Sequence, residues 1–200
     1  MVTDGSFSSH QSHATIEGNN FEAHVKSILN NDKRLAAHHI RIYNNKDFSE
    51  DITLLDRLTI NVRNYSEPPN NLNLIAKDTI TGALIALICC KLSLHGRISE
   101  TLFYSMFYKN YLKEEELKVV LVTPDKGRQN NQKAWISEWG TYNNPTKGRI
   151  LSEYFLDGVY IDNQYLRQRF GIIASTQLGL DLYDFALLPA HLVDWKNGQR

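Results

Sequence analysis

Hydrophobic residues gather into short apolar runs separated by polar turns, and the runs predict buried strands. Residues 83–90 are almost continuously apolar, which is typical of a central strand covered on both faces. A shorter run at residues 72–76 precedes it across the turn DTITG, so the two predict a strand hairpin. The runs LKVVLVT and DGVYID predict two more strands further along the chain.

Helical periodicity flanks these strands. The stretch NNFEAHVKSILNND carries one apolar stripe and predicts a helix that begins near Asn19 or Asn20. A second amphipathic helix follows the hairpin, with its apolar side predicted at Ile98, Leu102, Phe103 and Met106. The stretch LYDFALLPAHLVDW predicts a terminal helix or a bent helix pair, and residues 52–62 are ambiguous between helix and strand.

The order of these elements predicts the fold class and the domain organisation. A helix, a strand hairpin, a helix and a further strand indicate a three-layer α/β domain with a mixed central sheet flanked by helices. Residues 1–18 are polar, rich in Ser and His and poorly patterned, so we predict a flexible N-terminal arm there. Residues 19–200 are predicted to form a single domain. We interpret His10 and His13 as residues of an exposed arm rather than as metal ligands.

Composition narrows the class of protein without identifying it. The chain has 200 residues, of which 42% are hydrophobic and 22% charged, as in soluble globular domains. A net charge of zero excludes a uniformly basic nucleic-acid coat, but it leaves room for a local basic cleft. The longest apolar run is too short to span a bilayer, and no signal-peptide pattern is visible. The only cysteines, Cys89 and Cys90, are adjacent and unsuited to a disulfide, so we expect a cytoplasmic protein.

Candidate chemistry lies directly after the second strand of the hairpin. Lys91 stands at the carboxyl end of a predicted central strand, where a sheet presents groups to a cleft. It can stabilise negative charge there, or it can simply reach solvent. Arg97 lies near the start of the next helix and can bind a guanine edge with both guanidinium nitrogens. The alternative for Arg97 is a surface ion pair with Glu100, and His95 can contact a base or a phosphate.

The stretch SEPPNNLNLIAKDTITGALIALICCKLSLHGRISETLF resembles the active-site region of type II restriction endonucleases of the PD-(D/E)xK superfamily. The branch of that superfamily that reads CC/GG-containing sites carries K-x-x-x-R-(D/E)-R. The segment from Lys91 to Arg97 has this spacing, with His-Gly-Arg in place of Arg-acid-Arg. The resemblance implies a restriction-endonuclease-like core, Mg²⁺-dependent hydrolysis of double-stranded DNA, and a homodimer that cuts both strands of a palindrome.

The chain departs from that family pattern at both acidic positions. Pro69 is followed by Asn70 where the family has its first metal-binding aspartate, and Cys89 occupies the second acidic position, two residues before Lys91. Mg²⁺ prefers charged carboxylate oxygens, and a thiol is a poor ligand for it. The site therefore has weak metal affinity unless Glu22, Asp78 or Glu100 contributes a carboxylate. Asp78 also fits ordinary turn chemistry, and Asn70 is either an inactivating change or a natural variant.

The resemblance assigns a role to each candidate residue. The catalytic positions are Lys91, Asn70, Cys89 and Glu22, and the metal positions are Asn70, Glu22 and Glu100. The DNA-binding residues are predicted to be Ser93, His95, Arg97, Lys126, Arg128, Lys133, Lys147 and Arg149. Two other hypotheses stay open at the level of sequence: a non-catalytic DNA-binding protein on the same fold, and an interaction or small-ligand α/β domain whose resemblance is accidental.

Overall fold

The computed structural model describes residues 5–48, 51–67, 73–93, 98–111, 116–129, 135–170 and 182–199. The helices are α1 (Gly5–Asn30), α2 (Lys33–Ala37), α3 (Asn45–Phe48), α4 (Ile52–Leu58), α5 (Ile98–Met106), α6 (Lys147–Phe155), α7 (Asn163–Phe170) and α8 (Leu188–Lys196). The strands are β1 (Ile40–Asn44), β2 (Ile60–Val62), β3 (Tyr65–Glu67), β4 (Leu74–Asp78), β5 (Leu84–Cys90), β6 (Lys118–Thr123), β7 (Arg128–Gln129), β8 (Trp135–Ile136), β9 (Gly158–Ile161) and β10 (Leu182–Asp184). A π-helical turn continues α5, and a 3-10 turn leads into α8.

A six-stranded mixed sheet organises the chain, in the order β1-β4-β5-β6-β9-β10. β1, β4 and β5 pair antiparallel, whereas β5, β6, β9 and β10 pair parallel. Every residue of β5 is buried, because the strand is central in the sheet and covered on both faces. The parallel strands end together at one side of the sheet, which we call the carboxyl edge. Lys91, Asp125 and Asp162 follow β5, β6 and β9 at this edge.

Hydrophobic side chains cover both faces of the sheet. One face packs Cys89 of β5 against Leu58 of α4 and Tyr104 of α5. The other face packs Ile88 of β5 against Phe21 of α1 and Leu192 of α8. Alternate residues of β5 thus pack against opposite helical layers, because successive side chains of a strand point to opposite faces. The predicted three-layer α/β architecture, with a mixed sheet flanked by helices, is confirmed.

Three predictions about individual elements need correction. α1 begins at Gly5 rather than near Asn19, because no helix-breaking residue interrupts the segment before Gly18 and a helix tolerates that single glycine. The division of the chain into an arm at residues 1–18 and a domain at residues 19–200 stays a prediction. The stretch LYDFALLPAHLVDW begins with β10, which extends the parallel sheet, before it turns into α8.

The third correction concerns the orientation of α5. Thr101, Tyr104 and Ser105 are its buried residues, whereas Phe103 is 52% exposed and Met106 is 48% exposed. The predicted apolar side of this helix therefore lies partly outside the core.

The ambiguous residues 52–62 resolve into α4 followed by β2. Within the described ranges, no helix combines the length and the apolar character that crossing a membrane requires.

Candidate functional site

Lys91 extends the carboxyl end of β5 by one more sheet hydrogen bond. Its backbone N–H donates to the carbonyl of Val122 in β6 at 3.0 Å. Its side chain is only 9% exposed, and Nζ donates to Oε2 of Glu100 at 2.9 Å. Glu100 belongs to the first turn of α5, so the first crossover helix after the hairpin brings this carboxylate back to the strand end. The structure therefore joins two of the residues that the sequence singles out.

Glu22 reaches the same strand end from α1. Its Oε2 accepts a hydrogen bond from Nδ2 of Asn73 at 2.9 Å, and Oδ1 of Asn73 accepts one from the backbone N–H of Cys90 at 2.9 Å. One side chain thus connects α1 to the last residue of β5. The positive charge of Lys91 also lowers the pKa of Glu22, and Lys91 is paired with Glu100. We therefore define the carboxyl-edge cluster as Glu22, Asn73, Lys91 and Glu100.

The electrostatics of the cluster centre on Glu22. Burial raises the pKa of Glu22, and the hydrogen bond from Asn73 and the positive charge of Lys91 offset only part of this rise. The ionised form of Glu22 is therefore costly to keep in the folded protein unless a cation lies close to it.

The cluster offers two carboxylates, Glu22 and Glu100, to a cation that would also bind a substrate. Mg²⁺ commonly takes one or two carboxylates and fills its other positions with water and substrate phosphate oxygens. Glu22 and Glu100 supply two such groups around Lys91. Among the described residues, no group of three or more His, Cys, Asp or Glu side chains is arranged to hold a metal ion. The described carboxylates of the cluster therefore do not form a complete metal site by themselves.

Cys89 does not belong to this chemistry. Its side chain is buried in the core, and burial raises the pKa of its thiol to about 11. A neutral thiol inside a hydrophobic layer is neither a nucleophile nor a ligand for Mg²⁺. This environment counts against the catalytic role predicted for Cys89, two residues before Lys91, and that role stays a prediction.

Asp78 is excluded from the cluster by its place in the hairpin. It ends β4 at the turn, whereas Asn73 precedes β4 at the opposite end. Burial opposes ionisation of Asp78, but hydrogen bonds from the N–H of Ile80, from Thr81 and from Lys196 together lower its pKa to about 2. The turn role of Asp78 is confirmed.

The residues predicted to contact DNA have separate environments. Oγ of Ser93 donates to Oε1 of Glu138 at 3.0 Å, and Lys126 lies 3.9 Å from Glu17. Lys147 is exposed at the start of α6. Arg149 is 1% exposed and donates through Nε to Glu153 at 2.7 Å, because its position on α6 faces the interior. This burial counts against the predicted contact of Arg149 with the DNA backbone, which stays a prediction.

Several predicted residues lie outside the described part of the chain: Asn70, His95, Arg97 and Lys133. The backbone of Arg128 is described in β7, but its side chain is not. The roles given to these five residues stay predictions.

Sequence reasoning missed several polar residues at the carboxyl edge. Asn73 is one of them. Oδ1 of Asp125 accepts the backbone N–H of Glu138 at 2.9 Å, and Nε2 of His24 lies 3.0 Å from Oδ2 of Asp162. Asp125 and Asp162 are both buried. Each follows a strand of the parallel part of the sheet, and that position is the signal from which they could have been found.

Comparisons with known proteins connect this geometry to one family. Residues 41–175 match the family model described as BsaWI restriction endonuclease type 2. A candidate type II restriction enzyme of Methanocaldococcus jannaschii, MjaVIP, is 32% identical over 119 residues, which cover 58% of this chain and 50% of that protein. The chain thus spans about half the length of this curated relative.

A solved structure has a similar fold. The crystal structure of the pre-specific restriction endonuclease BsaWI–DNA complex is similar with a TM-score of 0.55 and 17% sequence identity. The similarity covers 95% of this chain and 65% of that chain. At this level of identity the likeness concerns the fold alone.

Proposed function

Because the chain belongs to the BsaWI family of type 2 restriction endonucleases, we propose that it hydrolyses phosphodiesters of double-stranded DNA at a specific sequence with Mg²⁺. The observation that carries this proposal is the position of Lys91 at the carboxyl end of a central strand, next to Glu100 and within the electrostatic reach of Glu22. A lysine ammonium group held beside two carboxylates suits phosphoryl chemistry, because the ammonium group can stabilise the negative charge that accumulates on the phosphate in the transition state.

Lys91 is the catalytic residue in this proposal. Its ammonium group stabilises the negative charge that develops on the phosphate and orients the attacking water. Glu100 holds the amino group in place by the 2.9 Å hydrogen bond, and burial of the lysine stem limits its motion. Glu22, Glu100 and the Asn70 position would hold Mg²⁺, which would supply positive charge at the phosphate and make a nearby water more acidic.

Asn70 makes the proposed metal site weak. An asparagine offers one neutral oxygen, whereas the family that the sequence resembles has an aspartate at this position. Mg²⁺ affinity depends on ligand charge. We therefore propose that the wild-type protein binds DNA and cleaves it slowly or not at all. An Asn70→Asp variant would then cleave efficiently.

Recognition of DNA is assigned to the segment after Lys91 and to the basic loops. Ser93, His95 and Arg97 would contact bases, in the manner of the branch that reads CC/GG-containing sites, because Arg97 can hold a guanine edge. The phosphate backbone would be bound by Lys126, Arg128, Lys133 and Lys147. Affinity from such contacts is mainly electrostatic and falls as salt rises.

A homodimer follows from symmetric cleavage of a palindrome, since each copy then cuts one strand. Large apolar side chains support this proposal. α5 and α6 pack side by side, and both carry exposed hydrophobic residues, namely Phe103, Met106, Ile150 and Tyr154. Light scattering of the purified chain measures the mass, and a Phe103→Ser/Tyr154→Ser variant is expected to lower it to that of one copy. A wild-type protein that is monomeric both alone and on DNA would contradict the dimer.

A non-catalytic DNA-binding protein is the alternative. The observation that favours it is the absence, within the described residues, of any group of three metal-ligating side chains. The neutral side chains Asn70 and Cys89 at the family's acidic positions point the same way.

One experiment separates these functions. Wild type and the Asn70→Asp variant are incubated with a long DNA of known sequence, with Mg²⁺ or with chelator. Binding to the same DNA is followed as salt is raised. Discrete, Mg²⁺-dependent fragments support the endonuclease and give its site. Salt-dependent binding without cleavage by either protein supports the alternative, and no binding at low salt contradicts both.

A further inference from the structure

Asn73 links the hairpin to α1 by side-chain hydrogen bonds. Its two ends have opposite roles: Oδ1 accepts from the backbone N–H of Cys90, and Nδ2 donates to the carboxylate of Glu22. A carboxamide is well suited to this place, because it offers a donor and an acceptor on one short side chain. An aspartate would keep the bond to Cys90 and lose the donor to Glu22.

The strand register places Asn73 beside the catalytic lysine. Leu74 of β4 pairs with Ile88 of β5, and continuing this antiparallel register by one residue places Asn73 across from Cys89. Lys91 follows two residues later. Asn73 therefore lies just before β4, next to the carboxyl end of β5. It is across from Cys89, which occupies the second acidic position of the family that the sequence resembles.

The distance between the Asn73 and Glu22 side chains can be compared with the spacing of two oxygens that bind one Mg²⁺ ion. Nδ2 of Asn73 lies 2.9 Å from Oε2 of Glu22. In an octahedral Mg²⁺ site with metal–oxygen distances of about 2.0–2.1 Å, adjacent ligand oxygens are about 2.9 Å apart. An ordinary N–H···O hydrogen bond has the same length, so the spacing alone does not mark a metal position. An aspartate at position 73 would, however, place a second carboxylate oxygen beside Oε2 of Glu22.

We propose that Asn73 is the positioning residue for Glu22, and that its amide sets the affinity of the carboxyl-edge cluster for a divalent cation. With the amide, Glu22 is held by a hydrogen bond and needs no cation. With a carboxylate at this position, the two side chains repel each other until a divalent cation binds between them. This inference rests on the proposed function only for the use of the cation, because the pairing itself belongs to the free protein.

The test measures cation binding without DNA. Wild type and Asn73→Asp are compared by calorimetric titration with Mg²⁺ and Mn²⁺, and by thermal unfolding with cation or with chelator. For Asn73→Asp we expect a dissociation constant for Mg²⁺ at least about tenfold lower than that of wild type, since affinity follows ligand charge. We also expect a lower unfolding temperature in chelator, which rises when the cation is added.

Asn30 offers a matched control. It ends α1, donates through Nδ2 to the carbonyl of Ile42 at 3.0 Å, and accepts the Ile42 N–H at 2.9 Å. Asn30→Asp therefore also exchanges a bridging amide for a carboxylate, but its lost donor faces a backbone carbonyl. We expect this variant to lose stability without gaining a cation-dependent unfolding temperature.

A reversed pair keeps the test informative even if Asn73→Asp folds poorly. In the double variant Glu22→Gln/Asn73→Asp, the amide and the carboxylate exchange places, so the donor now comes from position 22. We expect it to unfold near the wild-type temperature in chelator and to bind Mg²⁺ no more tightly than wild type. A double variant as unstable in chelator as Asn73→Asp would overturn the proposed pairing.

Two further results would overturn the inference. One is a Mg²⁺ affinity of Asn73→Asp no greater than that of wild type. The other is a gain that appears in Asn70→Asp and not in Asn73→Asp, which would move the position to Asn70. Neither result depends on cleavage, so the failure of this inference and the failure of the endonuclease proposal remain distinguishable.

Discussion

Replacing Lys91 by methionine should separate catalysis from stability and from DNA binding. Lys91→Met keeps most of the buried stem and removes the charge. The lysine side chain is 9% exposed and its partner Glu100 is 34% exposed, so water can solvate the carboxylate that is left behind. The ion pair also costs desolvation of the lysine, and we expect a net loss of stability within about 1 kcal/mol.

The loss of rate should be much larger than the loss of stability. Removing one preorganised group that stabilises transition-state charge typically costs about 2.7–4 kcal/mol, which is about 10²–10³-fold in rate. Since this group acts mainly in the transition state, DNA affinity should change little. Lys91→Met is introduced into whichever form cleaves DNA, wild type or Asn70→Asp. Single-turnover cleavage, DNA binding and thermal unfolding are measured on each variant.

Lys77→Met is the matched control for this prediction. Lys77 lies on the neighbouring strand and is paired with Asp51 at 2.7 Å, with side-chain exposures of 20% and 37%. It belongs to the turn end of the hairpin, away from the carboxyl-edge cluster. Its replacement should leave the cleavage rate within about twofold, because Lys77 lies away from the proposed catalytic group. Its loss of stability should also be small, because surface ion pairs contribute little. An unchanged rate in Lys91→Met, or an equal loss in Lys77→Met, would refute the role of Lys91.

Three further predictions concern the metal position, base recognition and pH. Asn70→Asp should give Mg²⁺-dependent, sequence-specific cleavage, and a time course in which both proteins cut equally would assign the metal to other carboxylates. Arg97→Ala should cost about 1–3 kcal/mol of binding free energy on the specific site and much less on random DNA, and equal losses would make Arg97 a phosphate contact. Burial raises the pKa of Glu22 from its ordinary value of 4.5, so its contribution to stability is present below pH 4.5 and is lost as the pH rises through the higher pKa of the folded protein. Glu22→Gln should therefore unfold at a higher temperature than wild type at neutral pH, by a margin that disappears towards pH 4.5, and a constant margin across that range would count against the raised pKa.

Local patterns in the sequence determined the framework of the fold. The buried character of β5, the turn at Asp78 and the place of Lys91 at a strand end follow from an apolar run, from turn chemistry and from the position of a charge after that run. These features depend on neighbours within a few residues, so one sequence is enough to predict them. The order of helices and strands indicated the three layers for the same reason.

The tertiary structure alone decided how the side chains of the candidate site are paired. Asn73 and Glu22 are 51 positions apart, and His24 and Asp162 are 138 apart, yet each pair is in hydrogen-bond contact. No periodicity encodes such contacts, because they arise when separate elements pack on the two faces of one sheet. The burial of Arg149 and the outward position of Phe103 have the same origin, since the rotation of a helix against its neighbours sets which side chains meet the core. The sequence by itself thus determined where the lysine stands, and packing determined which carboxylates surround it.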